Sequence, residues 1–263
     1  GTILEESRII KIDTPKPHSR KQALVMSSFM LPYLTEIYIC CGTKWGKSVS
    51  MSSCMINGMV NNPGGLWRWV APIYEQTKIG YDYCKGMLPP APLVNAVDGK
   101  LEINITSINT RLKFHHAQDP VSLEGAAVKG YGFDEAAKMK EDVYASAKTT
   151  RTVTRGPMAF FSTPYGKNWF YRKCMEAKEE MKRARFEGRH PSKIFIRAPT
   201  SDNIHVPRQS IEEARRELPA RLFKQYYEAE FIDDGSVFIG YRECMERSEE
   251  HTSELQSRLQ ISY

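Results

Sequence analysis

The 263-residue sequence lacks several features that would place it in other classes of protein. No apolar run approaches the ~20 residues that a membrane-spanning helix needs. Six cysteines are scattered along the chain, and none forms the paired C-x-x-C spacing of a zinc site. Charged residues near the start, Glu5 and Glu6 among them, interrupt the apolar core that a signal peptide requires. We therefore expect a chain without a membrane span, in a reducing cytosolic setting.

The composition is that of an ordinary globular protein with a modest basic excess. Hydrophobic residues make up 41% and charged residues 26%, which is enough apolar material for a packed core. The formal net charge of +6 fits a polyanionic partner, although a uniformly solvated surface would look the same. One basic cluster fits either nucleic-acid contact or a plain charged helix face: Lys178, Lys182, Arg183, Arg185, Arg189 and Lys193.

The most informative segment is residues 36–48, where a short apolar strand runs into a loop that ends Gly-Lys-Ser before a helix-compatible stretch. This is the layout of a phosphate-binding loop, in which backbone N–H groups and a helix N-terminus converge on a polyphosphate. Lys47 would reach the β- and γ-phosphates, and Ser48 would hold Mg²⁺. The predicted nucleotide-binding residues are Gly42, Thr43, Lys44, Trp45, Gly46, Lys47 and Ser48.

The match to the phosphate-loop pattern has one flaw. The pattern places four residues between its first glycine and Gly46, and at that first position this chain has Cys41. Gly42 is one place late, and we expect it to supply the flexible turn. The alternative interpretation is a surface turn with an exposed lysine.

A second motif, which is acidic, follows the phosphate loop by about ninety residues, where the apolar run 128–133 ends in Asp134-Glu135. Asp134 would bind Mg²⁺ together with Ser48, and Glu135 would polarise the attacking water as general base. Two carboxylates are needed because the one that faces the metal accepts a proton poorly. Read alone, the pair also fits the acidic start of a helix.

Three further positions are weaker candidates. Ser162 and Thr163 follow the next strand, where hydroxyls can sense the γ-phosphate, but Pro164 also fits a simple turn. The amide of Gln22 can exchange two hydrogen bonds with an adenine edge. His115 and His116 have no partner at metal-ligand spacing, so we expect them to be ordinary strand residues.

Strand-like and helix-like segments alternate along the chain, which predicts an α/β fold with a largely parallel sheet. Strands are predicted at 36–41, 66–71, 100–106, 111–116, 128–133, 158–161 and 193–197, with 100–106 and 111–116 as a hairpin. Helices are predicted at 17–30, 49–61, 74–87, 141–149, 169–187, 210–217 and 220–228. Lys47, Asp134 and Ser162 all follow strand ends, so we expect one site at that edge of the sheet.

The ends of the chain differ from its body. Residues 1–16 are predicted to be irregular, residues 17–235 to form the ATPase domain, and residues 236–246 to begin a linker. Residues 247–263 resemble the translation of a sequencing-library adapter read in frame, and we expect them to carry no function. The alternative is a real polar helix. The first residue is Gly rather than Met, and we expect the chain to be a fragment.

Taken together, the motifs resemble the ATPase domain of the large terminase subunit of tailed double-stranded DNA bacteriophages. The resemblance covers residues 17–238, and the order and spacing of its pieces make it specific. Its pieces are Gln22, Gly42–Ser48, Val70–Gln76, Asp119–Gly125, Gly132–Ala137, Phe161–Gly166, Ala198–Asn203, Glu217–Pro219 and the run 223–238.

This resemblance implies a RecA/ASCE-like P-loop fold and a Mg²⁺-dependent ATPase that drives viral DNA into a procapsid. It implies Glu135 and Lys47 as catalytic residues, Ser48 and Asp134 as metal ligands, and Ser162 and Thr163 as the coupling motif. Gln22 would match the adenine-reading glutamine. The implied partners are double-stranded DNA, the portal protein, the small terminase subunit and further copies of the chain in a ring, in the host cytoplasm.

The sequence departs from the family in two respects. Members often carry a basic residue, proposed to reach a neighbouring subunit's ATP, where this chain has Glu124; Lys129 or Arg111 would have to substitute. A carboxylate at that place would repel a γ-phosphate. Members also usually carry a C-terminal nuclease domain, which we expect to be missing here, so we predict no DNA cleavage. A helicase-like remodeller and a nucleotide-binding scaffold without turnover remain as alternatives.

Overall fold

The computed structural model describes residues 12–117 and 126–232, and its centre is an eight-stranded sheet in the order β3-β4-β5-β2-β6-β7-β1-β8. The strands are β1 Glu36–Cys41, β2 Gly65–Ala71, β3 Val94–Val97, β4 Glu102–Ile105, β5 Thr110–His116, β6 Val128–Asp134, β7 Met158–Ser162 and β8 Lys193–Ala198. Six of them run parallel, from β5 to β8 across the sheet, while β3 and β4 are antiparallel additions at one edge. This confirms the predicted α/β fold with a mainly parallel sheet.

In the described ranges, seven α-helices connect and cover the strands. They are α1 Arg20–Ser27, α2 Lys47–Asn61, α3 Tyr74–Met87, α4 Glu141–Thr150, α5 Trp169–Phe186, α6 Arg208–Glu217 and α7 Ala220–Tyr226. Local capping explains two of the starts: Ser19 Oγ accepts the Gln22 N–H (3.1 Å), and Asn168 Oδ1 accepts the Phe170 N–H (3.0 Å). None of the helices in the described ranges is long and apolar enough to cross a membrane.

The predicted elements are present, with shifted ends and one omission. The helix predicted at 17–30 begins only at Arg20 and passes into a 3₁₀ turn at Ser28–Met30, because Ser19 caps it. The helix after the phosphate loop begins at Lys47 rather than at residue 49. The short strand β3 was missed, because its sequence, Val94–Val97, follows a proline-rich loop and only its pairing with β4 defines it.

Two hydrophobic layers sandwich the sheet. One contains Trp67 and Trp69 with residues of α1, α2 and α3; the other contains Tyr131 and Phe160 with residues of α4 and α5. In the second layer the rings of Phe133, Phe160 and Tyr38 stack in sequence across β6, β7 and β1, with centroids 4.6 and 4.9 Å apart. Such cross-strand aromatic contacts hold the three strands in register.

That register matters because β7 lies between β1 and β6 and is parallel to both. Cys40 of β1 lies beside Ser162 of β7, and Phe161 of β7 lies beside Asp134 of β6. The phosphate loop, the acidic motif and the Ser-Thr pair therefore leave the sheet at the same edge, the one formed by the carboxyl ends of the parallel strands. All five cysteines in the described ranges are buried and unpaired; Cys244 lies outside those ranges.

Gly156 is predicted to tolerate no side chain. It sits just before β7, where an added Cβ would come within 1.7 Å of the Lys129 carbonyl oxygen in β6. Because the obstacle is strand backbone, the sheet itself would have to move, and Gly156→Ala should lower the free energy of unfolding by about 3 kcal/mol. Urea denaturation followed by circular dichroism measures this.

Gly86→Ala is the matched control for Gly156. Gly86 lies in α3, and an added Cβ would meet nothing within 4 Å. The change should be neutral or stabilise the helix by up to about 1 kcal/mol, because alanine is the better helix former. Equal effects at the two glycines would contradict the packing described here.

Candidate nucleotide-binding site

The phosphate loop connects β1 to α2 and contains two left-handed residues, Lys44 (φ 56°) and Gly46 (φ 101°). Gly46 precedes the first residue of α2, and a Cβ there would lie 2.9 Å from the Gln22 amide nitrogen. Glycine is required at this position both for its backbone conformation and for space. The loop thus delivers Lys47 to the helix N-terminus, where unpaired N–H groups and the helix dipole favour an anion.

The flaw at the start of the loop has a structural explanation. Cys41 is the last residue of β1, completely buried and paired with Ala198 of β8, so this position belongs to the strand rather than the loop. The backbone of Gly42 does not adopt a left-handed conformation, and its role as the flexible turn stays a prediction. Glycine is needed there for closeness: a Cβ would lie 2.6 Å from both Thr200 Oγ1 and the Tyr227 carbonyl oxygen.

The side chain of Trp45 anchors the loop to the protein interior. It is fully buried in the core beneath the loop, so its indole is not open to a ligand. The ring of His18 meets it edge-on at 5.6 Å, and His18 Nε2 lies 2.7 Å from the Trp45 carbonyl oxygen. Sequence reasoning missed His18, although it lies four residues before Gln22 in a segment already singled out.

Gln22 lies beside the phosphate loop with its amide already engaged inside the protein. Its Oε1 accepts the His18 N–H (2.8 Å), and its Nε2 donates to Ser50 Oγ in α2 (3.0 Å). The side chain is buried. These contacts brace the first turn of α2 against the residues before α1, while recognition of adenine stays a prediction.

At the centre of the site, Lys47 meets both carboxylates of the acidic motif. Its ammonium pairs with Asp134 Oδ1 and lies 2.7 Å from Glu135 Oε1. The three side chains retain only 17%, 6% and 10% of their exposure, so the charges interact in a largely dehydrated pocket. The expected convergence of residues 47, 134 and 135 is confirmed.

The electrostatics of this cluster are mutually stabilising. Burial disfavours the charge on Lys47, but Asp134 and Glu135 outweigh it and raise the pKa of the ammonium. Burial likewise opposes ionisation of Glu135, yet Lys47 and then Lys138 lower its pKa below the ordinary value. Glu135 therefore stays ionised at neutral pH, which is the state that a general base needs.

Glu135 is held in an unusual backbone conformation with two hydroxyl partners. Its φ of 53° is left-handed, a strained state for a non-glycine residue that is common at functional sites. Its Oε2 accepts a hydrogen bond from Thr163 Oγ1 (3.1 Å) and a longer one from Ser162 Oγ (3.5 Å). Ser162 Oγ also accepts the Ala137 N–H (3.1 Å). The Ser-Thr pair thus contacts the predicted base directly. This contact favours a role in the site over the alternative of a simple turn.

The donor set at this edge suits a magnesium ion that shares its ligands with phosphate. Ser48 lies in the first turn of α2 beside Lys47, and Asp134 ends β6 next to the same lysine. A hydroxyl and a carboxylate are hard oxygen donors, and Mg²⁺ commonly takes only one or two protein ligands besides phosphate and water. In the described ranges no cluster of three His, Cys, Asp or Glu residues could hold a metal by itself.

Two of the remaining candidates, Lys129 and Arg111, lie away from this edge. Glu124 is outside the described residues. Lys129 and Arg111 lie near the amino ends of β6 and β5, at the opposite edge of the sheet, where Lys129 Nζ donates to the Pro63 carbonyl oxygen (2.6 Å). His115 lies in β5, partly buried, with a pKa lowered to about 4 by burial and by Arg68.

The basic cluster on and after α5 is partly neutralised. Arg189 pairs with Glu180 and Glu187 (both 2.6 Å), and Lys182 pairs with Glu179 (2.7 Å). These contacts are typical of a solvated helix face. They favour a plain charged helix face over nucleic-acid contact as the interpretation of this cluster.

Comparison with known proteins identifies the family. Residues 76–245 match the family described as terminase large subunit, T4likevirus-type, N-terminal. The chain is 26% identical over 230 residues to the terminase large subunit of Thermus phage G20c, covering 76% of this chain and 47% of that protein. It is 30% identical over 179 residues to that of Escherichia phage T5, covering 64% and 38%. The chain thus spans about half or less of the length of these relatives.

Solved structures share the fold. The large terminase ATPase domain of Thermus phage P74-26 superposes with a TM-score of 0.65 at 24% identity, covering 79% of this chain and 93% of that one. The large terminase of bacteriophage D6E gives 0.68 at 17% identity, covering 82% and 54%. The family match contains the acidic motif and the Ser-Thr pair and begins after the phosphate loop. With more than half of its residues matched, the chain belongs to the large terminase subunit family.

Proposed function

We propose that this chain hydrolyses ATP and uses the energy to move viral double-stranded DNA into a procapsid. The observation that carries the proposal is the buried cluster of Lys47, Asp134 and Glu135 at the end of three adjacent parallel strands. A cation for phosphate, a carboxylate for metal and a second carboxylate for water are the parts that ATP hydrolysis requires. The D6E large terminase, a structural neighbour, has been solved in complex with ADP and with ATP-γ-S.

In this proposal each residue has a separate task. Lys47 binds the β- and γ-phosphates, and the amides at the start of α2 complete the anion site. Ser48 and Asp134 hold Mg²⁺, which neutralises charge on the phosphate oxygens when bound. Glu135, kept ionised by Lys47 and oriented by Thr163, accepts a proton from the attacking water. Ser162 and Thr163 connect this carboxylate to the neighbouring strand, which supports a coupling role.

The partners follow from the family rather than from a surface of this chain. We propose that copies of the chain act as a ring on the portal, with the small terminase subunit delivering DNA, in the host cytoplasm. A helicase-like remodeller would have a similar nucleotide site but would not belong to the large terminase subunit family. A scaffold without turnover would bind ATP and leave it intact.

Lys47→Ala tests the site itself. Removing the ammonium should raise the dissociation constant for ATP at least about 30-fold, because a desolvated charge contact is worth 2 kcal/mol or more. Titration calorimetry with Mg²⁺-ATP measures the affinity. Lys78→Ala is the matched control, since Lys78 is an exposed lysine on α3 that pairs with Asp82 (2.8 Å). Unchanged ATP affinity in Lys47→Ala would overturn the proposal.

A further inference from the structure

The phosphate loop is held by the end of β8 and by the segment that follows it. The Gly42 N–H donates to the Ala198 carbonyl oxygen (2.8 Å), and the Thr43 N–H donates to the Tyr226 carbonyl oxygen at the end of α7 (2.6 Å). Two consecutive amides of the loop are therefore paired with a part of the chain more than 150 residues away. The loop's shape depends on this segment as well as on β1 and α2.

Two side chains from the same segment bind the loop's carbonyl groups. Thr200 Oγ1 donates to the Thr43 carbonyl oxygen (2.7 Å), and Asn203 Nδ2 donates to the Lys44 carbonyl oxygen (2.8 Å). Thr200 is itself fixed, because it is 1% exposed and its N–H donates to the Tyr227 carbonyl oxygen (2.8 Å). A hydroxyl this buried adds orientation as well as binding strength, since no water competes for its partner.

The positions of these bonds coincide with the strained part of the loop. Lys44 has a φ of 56°, which a lysine adopts only when its surroundings impose it. Its carbonyl group is the one that Asn203 binds, and the carbonyl group before it is the one that Thr200 binds. Thr200 and Tyr227 also lie close to Gly42 at the start of the loop, where an added Cβ would come within 2.6 Å of each.

We infer that Thr200 and Asn203 are positioning residues for nucleotide binding. They hold the carbonyl groups of Thr43 and Lys44, and so keep the loop in the conformation from which Lys47 and the first turn of α2 meet phosphate. This inference rests on the proposed function of the site. It adds two residues from the far end of the domain to the machinery of the phosphate loop.

Thr200→Val and Asn203→Ala, made in the full 263-residue chain, test the inference. Each removes one donor, so each should weaken Mg²⁺-ATP binding about 3- to 10-fold in titration calorimetry. Thr200→Ser keeps the hydroxyl and should restore most of the affinity. Hydrogen exchange of peptides that cover residues 42–47 should be faster in Thr200→Val than in the parent, a readout that needs no nucleotide.

Thr110→Val is the matched control. Thr110 is also a buried threonine (2% exposed) whose hydroxyl donates to a carbonyl oxygen, that of Ile108 (3.1 Å), but at the opposite edge of the sheet. This variant should bind ATP as the parent does. If Thr200→Val is too unstable to fold, Asn203→Ala, at a more accessible position, carries the test.

The outcomes separate this inference from the proposed function. Parent-like ATP affinity in Thr200→Val and Asn203→Ala, alongside lost affinity in Lys47→Ala, overturns the positioning role and leaves the proposed function standing. If the parent itself does not bind ATP, the proposed function fails, and unchanged exchange of residues 42–47 in Thr200→Val overturns the positioning role as well.

Discussion

Replacing Glu36 with alanine is expected to lower the free energy of unfolding by about 3–5 kcal/mol, the usual cost of breaking a buried ionic network. Glu36 is the first residue of β1, at the sheet edge opposite the nucleotide site, and its side chain is 1% exposed. Lys148 (2.6 Å), Lys193 (3.3 Å) and Arg151 (3.7 Å) surround it. The change would leave these three cations facing one another with no carboxylate between them.

Guanidinium denaturation of Glu36→Ala and of a matched control measures this effect. Glu141→Ala is that control, because Glu141 forms an ion pair of similar length with Arg172 (2.7 Å) but is half exposed. An exposed pair contributes only about 0–1 kcal/mol. Equal destabilisation by the two substitutions would show that the Glu36 network contributes no more than a surface pair.

The same network predicts how stability depends on pH. Burial opposes ionisation of Glu36, but Lys148, Tyr38 and Lys193 lower its pKa below the ordinary value of 4.5. A lowered folded-state pKa contributes stability that is fully present above about pH 4.5 and is lost as pH falls through the folded-state value. The Glu36→Ala variant should therefore show a smaller loss of stability between pH 5 and pH 3 than the parent.

Glu135→Gln is expected to reduce the kcat of ATP hydrolysis by about 10²- to 10⁴-fold, the usual contribution of a general base. ATP affinity should change far less, because Lys47 and the start of α2 are intact. The amide keeps the shape and can still accept a hydrogen bond from Thr163, which lies 3.1 Å from the carboxylate. The loss would therefore report the missing base rather than a collapsed site.

Steady-state phosphate release at saturating Mg²⁺-ATP measures the rate, and titration calorimetry measures the affinity. Glu141→Gln, on the exposed first turn of α4, is the control and should hydrolyse ATP as the parent does. A Glu135→Gln protein that is as fast as the parent would point to the scaffold alternative. Loss of ATP binding by that variant would instead place Glu135 in the binding site without a catalytic role.

Much of the site could be predicted because its signals are local. Gly46-Lys47-Ser48 after an apolar strand and Asp134-Glu135 after another are short patterns, and parallel strands bring their carboxyl ends to one edge. The structure brings these residues together as expected. The roles of Ser162 and Gln22 were harder to predict, because the role of a hydroxyl or an amide depends on the groups that it contacts.

The sequence by itself therefore determined the α/β class, the positions of seven strands and seven helices, and the residues that meet at the phosphate loop, because hydrophobic periodicity and turn residues act over short distances. The tertiary structure alone decided what surrounds Glu36, why Gly42 is a glycine, and that Thr200 and Asn203 reach the loop. Those facts depend on strand order and on contacts across more than 100 residues. Such contacts leave no periodic pattern in the sequence, since each is a single meeting of distant segments.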